Sequence, residues 1–308
     1  MKKWNLLMIG LPLMVVLAAC GNEGVKTGTP NTESTPPVSE QASDNTENTG
    51  NTEDVAEQPP TAEELLTRII EASKDIQSYS MDSKIEQNMS ITAEGNEQTQ
   101  KMKMDMKSDL VIEPMTVYQE VTTTMPGQDG TQKVKQYISE DGVYTQVEDT
   151  WMLLPKETTA PLLKQMKNQT NAAAQFEQLN SIASDLQVAE EDDVYWLKAK
   201  LSGDKVQEFA ATMLAANGAT DPQMIEMMKQ MNIKTMDISY GVDKKTYFPK
   251  DLTYSMDMNM DIEGQALTIQ MNMDSSLKDY NKKDSIEVPQ EVKENALEQQ
   301  MPEQPAAP

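Results

Sequence analysis

Residues 254–262 read YSMDMNMDI, and residues 101–107 read KMKMDMK. In both stretches an apolar residue alternates with a polar one at every second position. Successive side chains point to opposite faces in a strand, whereas a helix scatters such a set around its circumference. The pattern therefore demands long, half-buried β-strands with one sulfur-rich face and one charged face. The choice of residue is unusual too, since the chain holds 24 Met and only 3 Phe.

The alternation extends well beyond these two runs. Between 79 and 93, Met81, Ile85, Met89 and Ile91 fall on one side and Asp82, Lys84, Glu86 and Asn88 on the other. Glu94-Gly95-Asn96-Glu97 is a turn signal, and Met102, Met104, Met106 and Leu110 continue the apolar side beyond it. Any loop of even length leaves both apolar sets on one face. A two-residue loop would set Lys84 opposite Lys107. A four-residue loop would set it opposite Asp109, with Glu86 opposite Lys107, and so avoids like-charge pairs. Nearer the C-terminus, a two-residue turn at Glu263-Gly264 pairs Met260 with Leu267, Met258 with Ile269, Met256 with Met271 and Tyr254 with Met273. A one-residue slip would break every apolar pair.

Other elements follow from local signals. Thr61 and Glu64 form a capping box ahead of a helix whose Leu65, Leu66, Ile69, Ile70, Ser73 and Ile76 share a face. Shorter strands are expected near 115–124, 132–139, 142–147, 151–155 and 193–201. Residues 159–184 read as helix, broken near Asn168–Asn171. Ser202 caps a helix presenting Val206, Phe209, Ala210, Met213 and Leu214, and Asn217-Gly218 ends it. Asp221-Pro222 opens another with Met224, Met227, Met228 and Met231 in a single stripe. Three strands close the domain at 233–243, 249–262 and 266–280.

The N-terminus gives an address. MKKWNLLMIGLPLMVVLAAC has a basic start, a short apolar run and small residues before Cys20, which marks residues 1–19 as a signal peptide. LAAC followed by Gly21 resembles a bacterial lipobox, and that resemblance implies a diacylglycerol thioether on Cys20 as the mature N-terminus. Two acyl chains suffice for stable anchoring. Residues 20–60 then read as the lipidated Cys and a disordered tether, too polar to offset the entropy of ordering. A coil of that length averages about 35 Å end to end. Residues 61–290 are expected to form one domain, with 291–308 a flexible tail. The protein is expected as a monomer on the outer face of the cell membrane of a Gram-positive bacterium.

Composition removes several functions. The net charge of −24 argues against nucleic acid, which needs basic patches. With no His, and the single Cys assigned to acylation, Ser-His and Cys-His nucleophile pairs and His- or Cys-ligated zinc are excluded. No cofactor and no catalysis are expected.

Three readings of the methionines remain. Asp257, Asn259 and Asp261 imitate the start of a calcium loop, but Ile262 stands where Gly is needed and Thr268 where Glu is needed. Thioethers are soft ligands for Cu(I), yet Met-x-Met on one strand separates sulfurs by about 7 Å. Core packing explains most positions, although Met specifies a core loosely and suits surfaces that adapt to variable apolar partners. The preferred reading is a cavity for a lipid or other apolar ligand, lined by Met102, Met104, Met106, Met224, Met227, Met228, Met231, Met256, Met258, Met260, Met271 and Met273. The alternatives are a cell-envelope interaction or sensor protein with a closed core and, less favoured, Cu(I) binding by the methionines.

SYSMDSKIE at 78–86, YISEDGVYTQVEDTWMLLP at 137–155 and YGVDKKTYFPKDLTYSMDMNMDIEG at 240–264 carry a likeness to a known superfamily. The order of helix, long strands, mid-chain helices and further strands resembles the LolA/LolB/LppX-like bacterial lipoprotein carriers. Within it the chain looks most like an uncharacterised group of Gram-positive lipoproteins. The resemblance implies an α+β fold: a strongly curved antiparallel half-barrel of roughly ten strands, with helices packed on its concave face and acyl chains held between them.

Overall fold

The helix α1, Ala62–Ser73, begins with the capping box that the sequence predicts. The Thr61 hydroxyl accepts from the Glu64 amide at 3.3 Å, and the Glu64 carboxylate accepts from the Thr61 amide at 2.9 Å. Leu65, Leu66 and Ile69 are fully buried, each contributing about 1.5–3 kcal/mol. The computed structural model describes residues 59–298, apart from 94, 126–129, 217–230 and 263–264.

Twelve strands among the described residues form a single open, curved sheet. In chain order they are β1 Ser78–Ala93, β2 Asn96–Val111, β3 Thr116–Thr124, β4 Thr131–Ser139, β5 Gly142–Val147, β6 Thr150–Leu153, β7 Gln187–Glu191, β8 Val194–Ser202, β9 Met231–Asp243, β10 Pro249–Ile262, β11 Gln265–Lys278 and β12 Leu297–Glu298. Their spatial order is β12-β6-β5-β4-β3-β2-β1-β11-β10-β9-β8-β7. The sheet is thus two antiparallel meanders joined where β1 pairs with β11, and only the short β12–β6 contact is parallel. Two strands were not expected. β7 is a five-residue edge, and β12 spans two residues within the stretch read as a tail.

The mid-chain helices are α2 Lys156–Thr170, α3 Ala172–Gln178 and a 3₁₀ turn Leu179–Asp185, followed after β8 by α4 Asp204–Ala216. The break at Asn171 has a local cause. Its side chain accepts from the Ala174 amide at 3.1 Å and so caps α3 rather than continuing α2.

The β10–β11 pairing matches the sequence-predicted register at every pair from Tyr254–Met273 to Met260–Leu267. The β1–β2 hairpin differs from both expected registers. Ala93 pairs with Asn96, so the turn sits at Glu94-Gly95. Lys84 faces Asp105, Asp82 faces Lys107, and Glu86 faces Lys103 with an ion pair at 2.6 Å. Opposite charges meet at three successive outward positions, better than either expected register provides.

The pairings place all the large cores on one face. The row Ala199–Ile238–Tyr254–Met273–Ile85–Met104 crosses six strands from β8 to β2. α1, α3, the 3₁₀ turn and α4 pack on the β8–β10 side of this face, burying Phe176, Leu179, Leu197, Leu201, Val206 and Phe209. α2 packs on the β3–β5 side over Leu110, Val117, Ile138 and Val143. A third, smaller cluster lies on the opposite face, where Val288 and Val292 of the C-terminal segment cover Tyr144, Tyr137 and Trp151.

Candidate functional site

Between the two large clusters run β11, β1 and β2. Their inward side chains form rows across the sheet. One row is Met236–Met256–Met271–Gln87–Met102, and the next is Tyr254–Met273–Ile85–Met104. Above them lie Met258–Ile269–Met89 and Met231–Met260–Leu267–Ile91. Met102, Met104, Met106, Met256, Met258, Met260, Met271 and Met273 are all half-buried, and Ile91 is 37% exposed. Met115 and Met236, by contrast, sit within the cores at 0% and 5% exposure. The strand methionines singled out from sequence therefore share one face and are brought together, none of them closed off.

Met231 is a correction. Its spacing predicts a place in a helical stripe, but it opens β9 and pairs with Met260. The spacing that suggested a helix is ambiguous there because an inward strand position happens to coincide with the stripe. Met224, Met227, Met228 and the lipidation residue Cys20 lie outside the described residues.

Sequence reasoning left three features of this face without a role. Met81 and Met89 extend it along β1 in the same alternation, so the period already carried that signal. Gln87 interrupts it, and its Oε1 is buried with no hydrogen-bond partner among the described residues. Ser83 and Ser275, also inward, satisfy each other at 2.7 Å.

The electrostatics of the inward face are quiet. Burial pushes the Tyr254 hydroxyl up to about 12, with the Tyr240 ring beside it adding to the effect. It remains a neutral donor and gives a hydrogen bond to Met256 Sδ at 3.1 Å. Charge belongs to the outer face, where Asp257 and Asp261 alternate with the methionines. Among the described residues no three His, Cys, Asp or Glu side chains come together to hold a metal ion. An open depression of about 730 Å³ lies elsewhere, between α2 and the Glu140-Asp141 turn, lined by Lys156, Lys164 and Lys167. What the methionine face offers chemically is a deformable apolar surface with a lone amide oxygen in it.

The model of a family of unknown function (DUF6612) matches residues 61–297. A search of curated proteins finds no match. Among solved structures, the chain is similar to LprF from Mycobacterium bovis at 10% identity, covering 74% of this chain and 96% of that one with a TM-score of 0.38. It is similar to a LolA superfamily protein from Nitrosomonas europaea at 11% identity, covering 72% and 95% with a TM-score of 0.16. A putative outer membrane lipoprotein-sorting protein domain from Vibrio parahaemolyticus shares 11% identity, covering 72% and 94% with a TM-score of 0.20.

Proposed function

We propose that this chain, which belongs to the DUF6612 family of unknown function, is an extracytoplasmic lipoprotein that holds a lipid or other apolar ligand against its methionine face. It is anchored through Cys20 and performs no catalysis. One observation supports the reading above others. The inward methionines of β2 and β11 are half-buried and belong to neither of the two large cores, while Met256 and Met258 of β10 border the first of them. A contiguous apolar surface of this kind is a usual mark of a ligand or partner site. Methionine suits it because three rotatable bonds let one surface fit acyl chains of different shape. The closed-core alternative fits less well, since it requires these residues to be buried as Met115 is.

The test is native mass spectrometry and solvent extraction of protein purified from membranes, together with displacement of an apolar dye by fatty acids of graded length. Co-purifying lipid and competitive displacement are expected. Absence of both would sink the ligand reading. Separately, Cys20→Ser should leave the protein unprocessed or free of the membrane. Acylated mutant recovered in the membrane after a high-salt wash would refute the anchor.

A further inference from the structure

Gln87 is polar where the alternation of β1 calls for an apolar residue. It points inward, directly opposite Met271 on β11 and Met102 on β2, with Ile85 and Met89 before and after it on the same face. Its Oε1 is buried, and no group among the described residues donates to it. The other inward polar groups nearby are occupied. Ser83 and Ser275 bond to each other, the Tyr254 hydroxyl goes to Met256 Sδ, and Gln100, in the adjoining row, is exposed and gives its amide to Met125 Sδ at 3.6 Å. An unpaired buried amide oxygen costs stability that leucine or methionine at this position avoids. Departures from pattern of this kind concentrate at functional sites.

The face around Gln87 has an open end and a closed end. Ile91 at one end is exposed, whereas Ser83 and Ser275 at the other are buried. None of the inward positions paired across β10, β11, β1 and β2 carries a charge. An ionised headgroup therefore finds no counter-charge inside and stays in water at the open end. Gln87 lies four residues from Ile91, about 13 Å along the strand. An extended alkyl chain advances about 1.25 Å per carbon, so the carbon that reaches Gln87 is roughly the tenth to twelfth from the head. Met271 and Met102 are half-buried and unbranched, and can swing aside to uncover the amide. A hydroxyl both donates and accepts, so it can meet either end of that amide.

We propose that Gln87 sets the specificity of the methionine face by pairing with an uncharged hydrogen-bonding group, a hydroxyl or an amide, carried within the apolar chain of the ligand. This role presupposes the apolar ligand of the preceding subsection and narrows its class, from any greasy chain to one with a polar group part-way along it. A plain chain leaves the amide unpaired and binds less tightly. A chain with its hydroxyl beside the head leaves that hydroxyl in water and gains nothing from Gln87.

The experiment is displacement of an apolar dye from the full-length protein at neutral pH by three probes: octadecanoic acid and its derivatives hydroxylated at the second and at the twelfth carbon. The wild type should bind the twelfth-carbon derivative at least about fivefold more tightly than octadecanoic acid, the worth of one buried hydrogen bond. The second-carbon derivative should bind no better than octadecanoic acid. Gln87→Leu should erase the preference and bind octadecanoic acid at least as tightly as the wild type does. Gln87→Met, which keeps the side-chain length, should do the same. The urea midpoint of either variant should equal or exceed that of the wild type, because the unpaired amide is gone. Asn88→Leu, next in the chain but on the outer face opposite Gln270 and Lys101, should keep the wild-type preference. Equal affinity of the wild type for all three acids overturns the role of Gln87 and leaves the apolar-ligand reading intact. A preference that survives both Gln87 variants, or is lost equally in Asn88→Leu, overturns it too. A wild type that takes up neither dye nor any of the acids sinks the apolar-ligand reading and the role of Gln87 with it.

Discussion

Met115 and Met271 are the same residue in two settings, and they should respond differently to truncation. Met115 is fully buried beside Leu110, Val117 and Ile138, so Met115→Ala leaves a void and should cost roughly 2–5 kcal/mol. Met271 is half-buried, and Met271→Ala should cost only about 1 kcal/mol, in proportion to the surface it had removed from water. Urea melts decide the matter, and equal losses would mean that the methionine face is closed. Asp243 is a different kind of residue. Its Oδ1 accepts from the amides of Lys245 and Thr246 at 3.0 and 2.9 Å and from the Thr246 hydroxyl at 3.0 Å, tying the turn between β9 and β10. Burial alone would raise its pKa, but those bonds and the Lys250 charge outweigh burial and hold it below the usual carboxylate range. A lowered folded-state pKa stabilises at pH values above the unfolded pKa, and that stability is lost as pH falls through the folded value. Asp243→Ala should therefore cost about 1 kcal/mol near neutrality, like the loss of a helix cap. The gap between mutant and wild-type melting should narrow in acid. A gap that widened on acidification would show the sign to be wrong.

At the level of elements, the central strands tolerate no shift. β11 pairs with β10 on one side and β1 on the other. One alanine inserted between Gln270 and Met271 would turn half of the strand inside out, and loss of cooperative unfolding is expected by circular dichroism. Two residues added at Glu263-Gly264 preserve parity and should leave the urea midpoint nearly unchanged. This hairpin was legible in the sequence because only one register matches every apolar position. The β1–β2 hairpin was not, since alternation fixes parity but leaves registers that differ by two indistinguishable. Both expected registers put the turn later in the chain than it lies, and charge pairing at Lys84–Asp105 and Glu86–Lys103 resolves it. β7 escaped notice because QVAEE is a half-exposed edge with no apolar period, and β12 because two residues carry none. The strand methionines of the candidate site were legible as an inward set. Their arrangement in rows of direct neighbours was not, because it depends on β9, β10, β11, β1 and β2 lying side by side.

Across the whole molecule, the architecture described here begins at Pro59 and continues to Glu298. Removing residues 21–58 should leave the melting temperature of the domain unchanged, as they hold no periodic apolar position. A fall of several degrees would show that they pack. Val292, buried against the outer face near Tyr144, extends the fold past the expected boundary at 290. The junction of the two meanders has a consequence in time. Ile85 pairs with Met273, so the first long strand made must wait for the last. At a synthesis rate of about 5–20 residues per second that delay is on the order of ten to forty seconds. Throughout it, one edge of β1 has no partner, and Met81, Ile85 and Met89 stand on a ready template for another chain. A fragment ending at residue 155 should accordingly self-associate in light scattering, and a peptide spanning 265–278 should suppress it. Such a nascent chain needs a guardian during synthesis, and the demand comes from the order of strands in the sheet rather than from any weakness of the finished fold.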